Sequence, residues 1–129
     1  MPFTIEKLPH EPIVIVKVTP PFSFATDTRR SVRAVADEIR GLPGPIYRIS
    51  DVSEVTIGFM DLVHALAVMS REEEGGAPDH RLRFIFVGDL EILEMARESA
   101  RQDQYGNVEI HIFAALDEAL DFARRQRSA

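Results

Sequence analysis

The run IVIVKV at residues 13–18 determines the fold class of this chain. It is β-branched and almost continuously hydrophobic, which is typical of a strand buried on both faces. Before it, residues 3–8 form a run in which Phe3 and Ile5 alternate with polar side chains, and PHEP at residues 9–12 predicts a turn. Because the two runs are so close in sequence, we expect them to pair as an antiparallel hairpin.

A repeated strand–helix pattern follows the hairpin. Apolar stripes predict helices from Thr26 or Asp27 to 42, from 57 to 71, after Asp89, and from 116 to 125, and β-rich runs predict strands at 46–49, 82–87 and 108–113. Residues 72–79 are typical of a polar, flexible loop. Since helices connect consecutive strands, those strands should pair in parallel through right-handed crossovers. The predicted fold is α/β: a β-hairpin followed by βα units, forming a mixed, mostly parallel five-stranded sheet with four helices.

Length and composition narrow the class of protein. A chain of 129 residues fits one domain over residues 1–129. The absence of cysteine excludes disulfides, thiolate nucleophiles and zinc–sulfur sites, and it fits a reducing compartment. The start of the chain lacks the basic and apolar regions of a signal peptide, and the longest apolar runs are far shorter than the ~20 residues that span a bilayer. We therefore expect a cytoplasmic protein that is not inserted in a membrane.

The charge balance argues against nucleic acid as a partner. Fifteen basic and twenty-one acidic residues give a net charge of -6, whereas binding to phosphates needs clustered Lys and Arg. Two local arginine clusters occur at residues 29–33 and 124–127. Each is typical of a solvated helix face or of a helix end whose dipole the arginines complement.

Two segments carry a resemblance to a known family. RISDVSEVT at residues 48–56 is similar to the third strand and following loop of the STAS-like domain, the fold of the anti-sigma-factor antagonists. VEIHIFAALDEALDFA at residues 108–123 is similar to the closing strand and helix of that domain. The antagonists carry an Asp-Ser-Ser-Gly-like segment in which a partner kinase phosphorylates a serine, but IGFMD at residues 57–61 has no hydroxyl side chain. The chain thus resembles uncharacterised bacterial STAS-like proteins that lack the phosphoacceptor serine, which implies a regulatory or protein-interaction module without catalysis.

The loop after the third predicted strand is the candidate binding site. Open α/β sheets usually bind ligands beyond the carboxyl ends of their strands. Position and resemblance together select Asp51, Ser53, Thr56, Gly58, Phe59, Met60 and Asp61.

Asp51 has two alternative interpretations. A phosphoacceptor aspartate of a receiver domain needs an acidic pair after the first strand and a lysine after the last. VTP at residues 18–20 and FAA at residues 113–115 occupy those turns instead. We therefore favour a structural role, in which Asp51 or Ser53 forms hydrogen bonds that stabilise the turn.

No other motif predicts catalysis, a cofactor or a metal. No pair among the four histidines has the spacing of metal ligands on a helix. A relay of Ser53, His64 and Asp61 lacks the Gly-x-Ser-x-Gly turn that presents a nucleophile. Gly88 followed by Asp89 resembles a phosphate-binding turn only loosely, and Asp89 as a helix N-cap accounts for the pair. We expect a protein that is not an enzyme.

One face of the predicted sheet needs a cover. Right-handed crossovers between consecutive strands place their helices on one face. The strands at residues 13–18 and 82–87 are nevertheless apolar on both faces, and exposing an apolar face costs about 25 cal/mol per Å². Either part of the chain or a second copy should cover it, and we hypothesise a homodimer.

An alternative function is the binding of a small molecule or lipid. The ligand would lie in an apolar pocket between the sheet and the second predicted helix, beside Phe59, Met60, Leu62 and Val63. Such a pocket should have a volume of roughly a few hundred Å³.

Overall fold

The computed structural model describes residues 2–128 of the chain, and the side chains of residues 2–126. Residues 1 and 129 of the predicted domain, and the side chain of Arg127 in the second arginine cluster, lie outside this description. Within the described residues the chain forms five strands and four α-helices. They are β1 (Phe3–Lys7), β2 (Ile13–Val18), α1 (Asp27–Glu38), β3 (Ile46–Asp51), α2 (Phe59–Arg71), β4 (Leu82–Val87), α3 (Leu90–Ala100), β5 (Ile110–Phe113) and α4 (Leu116–Ser128).

The strands form one mixed sheet in the order β1-β2-β3-β4-β5. β1 pairs with β2 in antiparallel fashion, with Ile5 opposite Val16, and the other neighbouring strands are parallel. This arrangement confirms the predicted hairpin and the mostly parallel sheet. β5 is an edge strand, so the backbone N–H and C=O groups along its outer side have no neighbouring strand to pair with.

Helices pack on both faces of the sheet. On the first face, Val32 of α1, Leu66 of α2 and Leu93 of α3 join a core with the inward side chains of β2 and β4. On the second face, α4 alone among the described helices contributes, through Ala119 and Ala123. These two alanines pack with the strand residues Ile13, Ile15, Tyr47, Ile49, Ile85 and Val87.

The position of α4 bears on the homodimer hypothesis. Part of the chain itself covers the second face, which is one of the two outcomes predicted for it. Handedness fixes the side of a helix that connects two parallel strands, but α4 follows β5 and connects to no further strand of the described chain, so it is free to take the other side. Exposure of this face therefore no longer argues for a dimer, and the oligomeric state stays a prediction.

Several element ends differ from the expected ones. α1 ends at Glu38 instead of residue 42, because Ile39 leaves helical geometry and Gly41 takes a left-handed φ of 79°. α2 begins at Phe59 instead of residue 57, and β5 begins at Ile110 instead of residue 108. None of the helices in residues 2–128 is both long and apolar enough to cross a membrane.

Candidate functional site

The predicted site residues all lie between the end of β3 and the first turn of α2. We call residues 51–61 the candidate binding loop. Asp51 is the buried last residue of β3, whereas Ser53, Thr56 and Gly58 are exposed. Asp61 is half-buried in the first turn of α2. The fold thus brings the set together in one segment at the carboxyl edge of the sheet.

The Asp51 carboxylate is engaged in local hydrogen bonds. Its Oδ1 accepts one from the Ser53 N–H at 3.1 Å and one from the Ser53 hydroxyl at 2.6 Å. These bonds are the turn-stabilising interaction expected from the sequence.

Asp61 has a comparable role at the start of α2. The Gly58 N–H donates to its Oδ2 at 2.9 Å, which satisfies a backbone donor at the helix N-terminus. A carboxylate in the first turn also interacts favourably with the helix dipole. His64 is exposed, and no hydrogen bond among the described residues joins it to Ser53 or Asp61.

The loop presents two adjacent apolar side chains to solvent. Phe59 is 59% exposed and Met60 is 60% exposed, although both open an amphipathic helix whose other face is buried. The loop that leads to them is attached to the first-face core by Val52, Val55 and Ile57. The apolar pair therefore projects from an anchored segment.

Acidic side chains lie in the same segment. Glu54 is exposed and forms an ion pair with Lys17 of β2 at 3.3 Å. Asp61 lies next to Met60 in sequence. The apolar pair is thus accompanied by carboxylates, in a chain whose net charge is -6.

The Gly88–Asp89 turn has the structural role predicted for it. Asp89 is the N-cap of α3, and its side chain accepts a hydrogen bond from the Glu91 N–H at 2.9 Å. Gly88 has a φ of 159°, and a Cβ atom there would lie 3.2 Å from the Val52 side chain. No group of three His, Cys, Asp or Glu side chains among residues 2–126 is placed to hold a metal ion.

Arg48 is a residue that sequence reasoning did not select. It lies in β3, is only 3% exposed, and burial lowers its pKa to about 10. The signal available in the sequence was an arginine in the middle of a central parallel strand. Such strands are covered on both faces, so a charged side chain in one of them is unusual.

The cavity beside Arg48 differs from the pocket that the alternative function required. It lies between the sheet and α2, but its volume is about 50 Å³. From α2 it is lined by Ala65 and Met69, and not by the four residues predicted to line it.

Comparison with known proteins bears on the fold. No family model matches the chain, and no curated protein matches it. The solved structure of an uncharacterised DUF3478-family protein with a SpoIIAA-like fold, from Shewanella loihica PV-4, is similar with a TM-score of 0.58 and 16% sequence identity. The alignment covers 94% of this chain and 91% of that protein. The chain therefore has a SpoIIAA-like fold, which confirms the STAS-like α/β architecture expected from the sequence.

Proposed function

We propose that this chain is a non-catalytic, regulatory protein-interaction module of STAS-like type, acting as one cytoplasmic domain over residues 1–129. Its contact surface is the candidate binding loop. The observation that carries the proposal is the exposure of Phe59 and Met60, which are adjacent and each more than half exposed. Apolar and aromatic side chains of this kind are enriched at the centres of protein interfaces.

The hydrogen bonding of the loop supports binding over catalysis. The carboxylates of Asp51 and Asp61 both accept hydrogen bonds from backbone N–H groups. These bonds hold the loop in one conformation, which is what a contact surface needs. The loop is better suited to present a fixed surface.

The partner in this proposal is a second copy of the chain. A two-fold axis beside the loop would pack Phe59 and Met60 of each copy against the same pair of the other. The same axis would bring the Asp61 carboxylates of the two copies near each other, and each chain carries a net charge of -6. Like charges repel across such an interface, and salt screens that repulsion, so association should strengthen as salt rises.

Sedimentation equilibrium of the full chain tests this proposal. The expected result is a reversible dimer with a dissociation constant in the micromolar range, tighter at high salt than at low salt. The double variant Phe59→Ser, Met60→Ser should weaken dimerisation by at least about tenfold, because it removes the apolar centre of the interface.

Leu42→Ser is the matched control. Leu42 is also apolar and exposed, at 37%, but it lies before β3 and therefore at the opposite edge of the sheet from the loop. This variant should dimerise as the natural chain does. A monomer at every concentration and salt, or an equal effect of the two variants, would contradict the proposal.

A further inference from the structure

The Arg48 side chain is buried almost without polar partners. Its Nε atom has no hydrogen-bond partner, and the one hydrogen bond its side chain forms with described residues runs from Nη1 to the Met69 sulfur at 4.0 Å. A thioether sulfur is a weak acceptor. The guanidinium carbon lies 5.9 Å from the centre of the Phe84 ring, and this cation–π contact offsets only part of the cost of removing the charge from water.

The side chain keeps its positive charge at neutral pH. Even with its pKa lowered to about 10 by burial, Arg48 is protonated there. None of the ion pairs among the described residues includes it. A buried charge without a counter-charge is a costly arrangement, so the surroundings of Arg48 favour an anion.

A cavity of about 50 Å³ lies beside this guanidinium. Most of its lining is apolar and includes Val16, Phe22 and Phe86. Ser50 also lines it, and no hydrogen bond from the buried Ser50 hydroxyl to a described residue is present.

The other two hydroxyls of the cavity are already used as donors. Thr28 donates to the Phe24 carbonyl at 2.8 Å, and Ser31 donates to the Thr28 carbonyl at 2.7 Å. The hydrogen-bond donors that remain available to a bound ligand are therefore the Arg48 guanidinium and the Ser50 hydroxyl.

We propose that this cavity binds a small monocarboxylate of two or three carbons, such as acetate or propionate. The carboxylate would accept hydrogen bonds from Arg48 and Ser50, and the alkyl end would lie among the apolar side chains. Guanidinium groups bind carboxylates through two parallel hydrogen bonds, and one positive charge matches one negative charge. Inorganic phosphate carries more charge and more oxygens than two donor groups and an apolar lining can satisfy.

The volume of the cavity limits the size of the ligand. An ordered water needs about 10–15 Å³ of such volume. By that measure a cavity of about 50 Å³ has room for about three to five non-hydrogen atoms, which covers acetate with four and propionate with five.

NMR of the Arg48 Nε–H resonance tests the proposal directly. Sodium acetate and sodium propionate are titrated into the full chain at constant ionic strength, with sodium chloride, sodium phosphate and neutral propionamide as comparisons. The expected result is a saturable shift with both carboxylates and at least about tenfold weaker responses to the three comparison solutes, since each lacks the charge or the shape that Arg48 recognises. No saturable shift with the carboxylates, or an equal response to any comparison solute, would overturn the proposal.

Two variants locate the site without removing Arg48. Ser50→Ala should weaken acetate binding by about tenfold, because a hydrogen bond to a charged group is lost. Ala65→Met should abolish binding by filling the cavity. Arg83→Met, which changes an exposed arginine on β4, is the control and should leave the acetate affinity unchanged. Unchanged binding in both Ser50→Ala and Ala65→Met would place any carboxylate site elsewhere and contradict the proposal.

Discussion

At the scale of single residues, the carboxylate of Asp51 holds the turn that begins the candidate binding loop. It lies at the carboxyl end of a central strand, a position where open α/β sheets often place a ligand-binding group. In this chain its Oδ1 accepts hydrogen bonds from the backbone and the hydroxyl of Ser53. The residue therefore fixes the path of the chain toward Phe59 and Met60.

Two substitutions at this turn should have graded effects. Asp51→Ala removes both hydrogen bonds and should lower the free energy of unfolding by about 2–3 kcal/mol, whereas Ser53→Ala removes only the hydroxyl bond and should lower it by about 1 kcal/mol. Urea denaturation at neutral pH measures both values. Equal losses in the two variants, or no loss in Asp51→Ala, would contradict this role for the carboxylate.

Residue-scale prediction from the sequence succeeded where the interaction is local. The Asp89 carboxylate accepts from the Glu91 N–H and the Asp51 carboxylate accepts from Ser53. Both interactions join residues two positions apart, so the local sequence suffices to predict them. Arg48 was missed because its environment is built by distant segments. Its neighbours Phe84 and Met69 come from a later strand and from α2, and nothing near residue 48 in sequence indicates their approach.

At the scale of elements, the segment between α2 and β4 forms hydrogen bonds that link α2, β4 and the end of α1. The buried Asp79 carboxylate accepts hydrogen bonds from the Gly75 N–H at 3.0 Å and from the Arg81 Nη2 at 2.8 Å. The Arg81 Nη1 in turn donates to the carbonyls of Ile39 and Leu42, at the end of α1, at 2.9 and 3.1 Å. A segment expected to be a flexible polar loop thus holds the C-terminus of α1 against the start of β4.

This connection predicts a pH-dependent stability. Burial by itself would raise the pKa of Asp79, but hydrogen bonds from Arg81 and Gly75 outweigh it and leave the pKa below its ordinary value. A carboxylate with a lowered pKa in the folded state contributes stability that is fully present above its unfolded pKa of about 3.9. That contribution is lost as the pH falls through the lower folded value.

Asp79→Asn isolates the effect. The variant should be less stable than the natural chain by about 1–2 kcal/mol at neutral pH, because a charged acceptor is replaced by a neutral one. The difference should begin to shrink as the pH falls below about 4, where the unfolded natural chain becomes protonated, and should vanish below the lowered pKa of the folded state. Denaturation curves from neutral to acid pH measure it, and a difference that is constant or grows toward acid pH would contradict the assignment.

Element positions were predictable only where a rule connects neighbours in the chain. Handedness places α1, α2 and α3 on one face because each lies between two paired strands. α4 lies after the last strand. Its apolar stripe indicates that one side of the helix is buried, but not which face of the sheet it packs against. The stripe consists of Leu116, Ala119, Leu120 and Ala123. The ends of α1 and α2 depend on backbone geometry at Ile39 and Gly58, which periodicity does not resolve.

At the scale of the whole molecule, the sheet is the middle layer between two separate cores. The second core depends on the close approach of α4, since Ala119 and Ala123 are both fully buried against the strands. Small side chains at these positions let the helix lie near Ile49 and Ile85. Of the two expected covers for this face, part of the chain itself or a second copy, the fold uses the first, through α4.

A larger side chain on this helix tests that packing. Ala119→Leu adds volume to a filled interface and should lower the free energy of unfolding by about 1–3 kcal/mol. Ala114→Leu, at an exposed position just before α4, is the matched control and should change stability by less than about 0.5 kcal/mol. Thermal or urea denaturation distinguishes the two, and equal stability of both variants would show that α4 is not tightly packed on the second face.

The architecture of the whole molecule was more predictable than its use. Hairpin spacing and the alternation of strands and helices suffice to predict a mixed sheet, because connection rules leave few other topologies. Function depends on particular sites and not on the fold alone. In the candidate binding loop, the proposed contact residues are the two exposed apolar side chains Phe59 and Met60. The sequence marks these positions as the start of an amphipathic helix, and only their exposure in the fold distinguishes them from core residues.

Self-association through residues 51–61 is best examined by amide NMR of the full chain during dilution. Between near-millimolar and low micromolar concentration, the amide resonances of this loop and of the first turn of α2 should shift together, with the midpoint at the dissociation constant found by sedimentation. Resonances of α4 and of β1 should stay in place. Spectra that do not change with concentration, or shifts confined to α4, would contradict the claim.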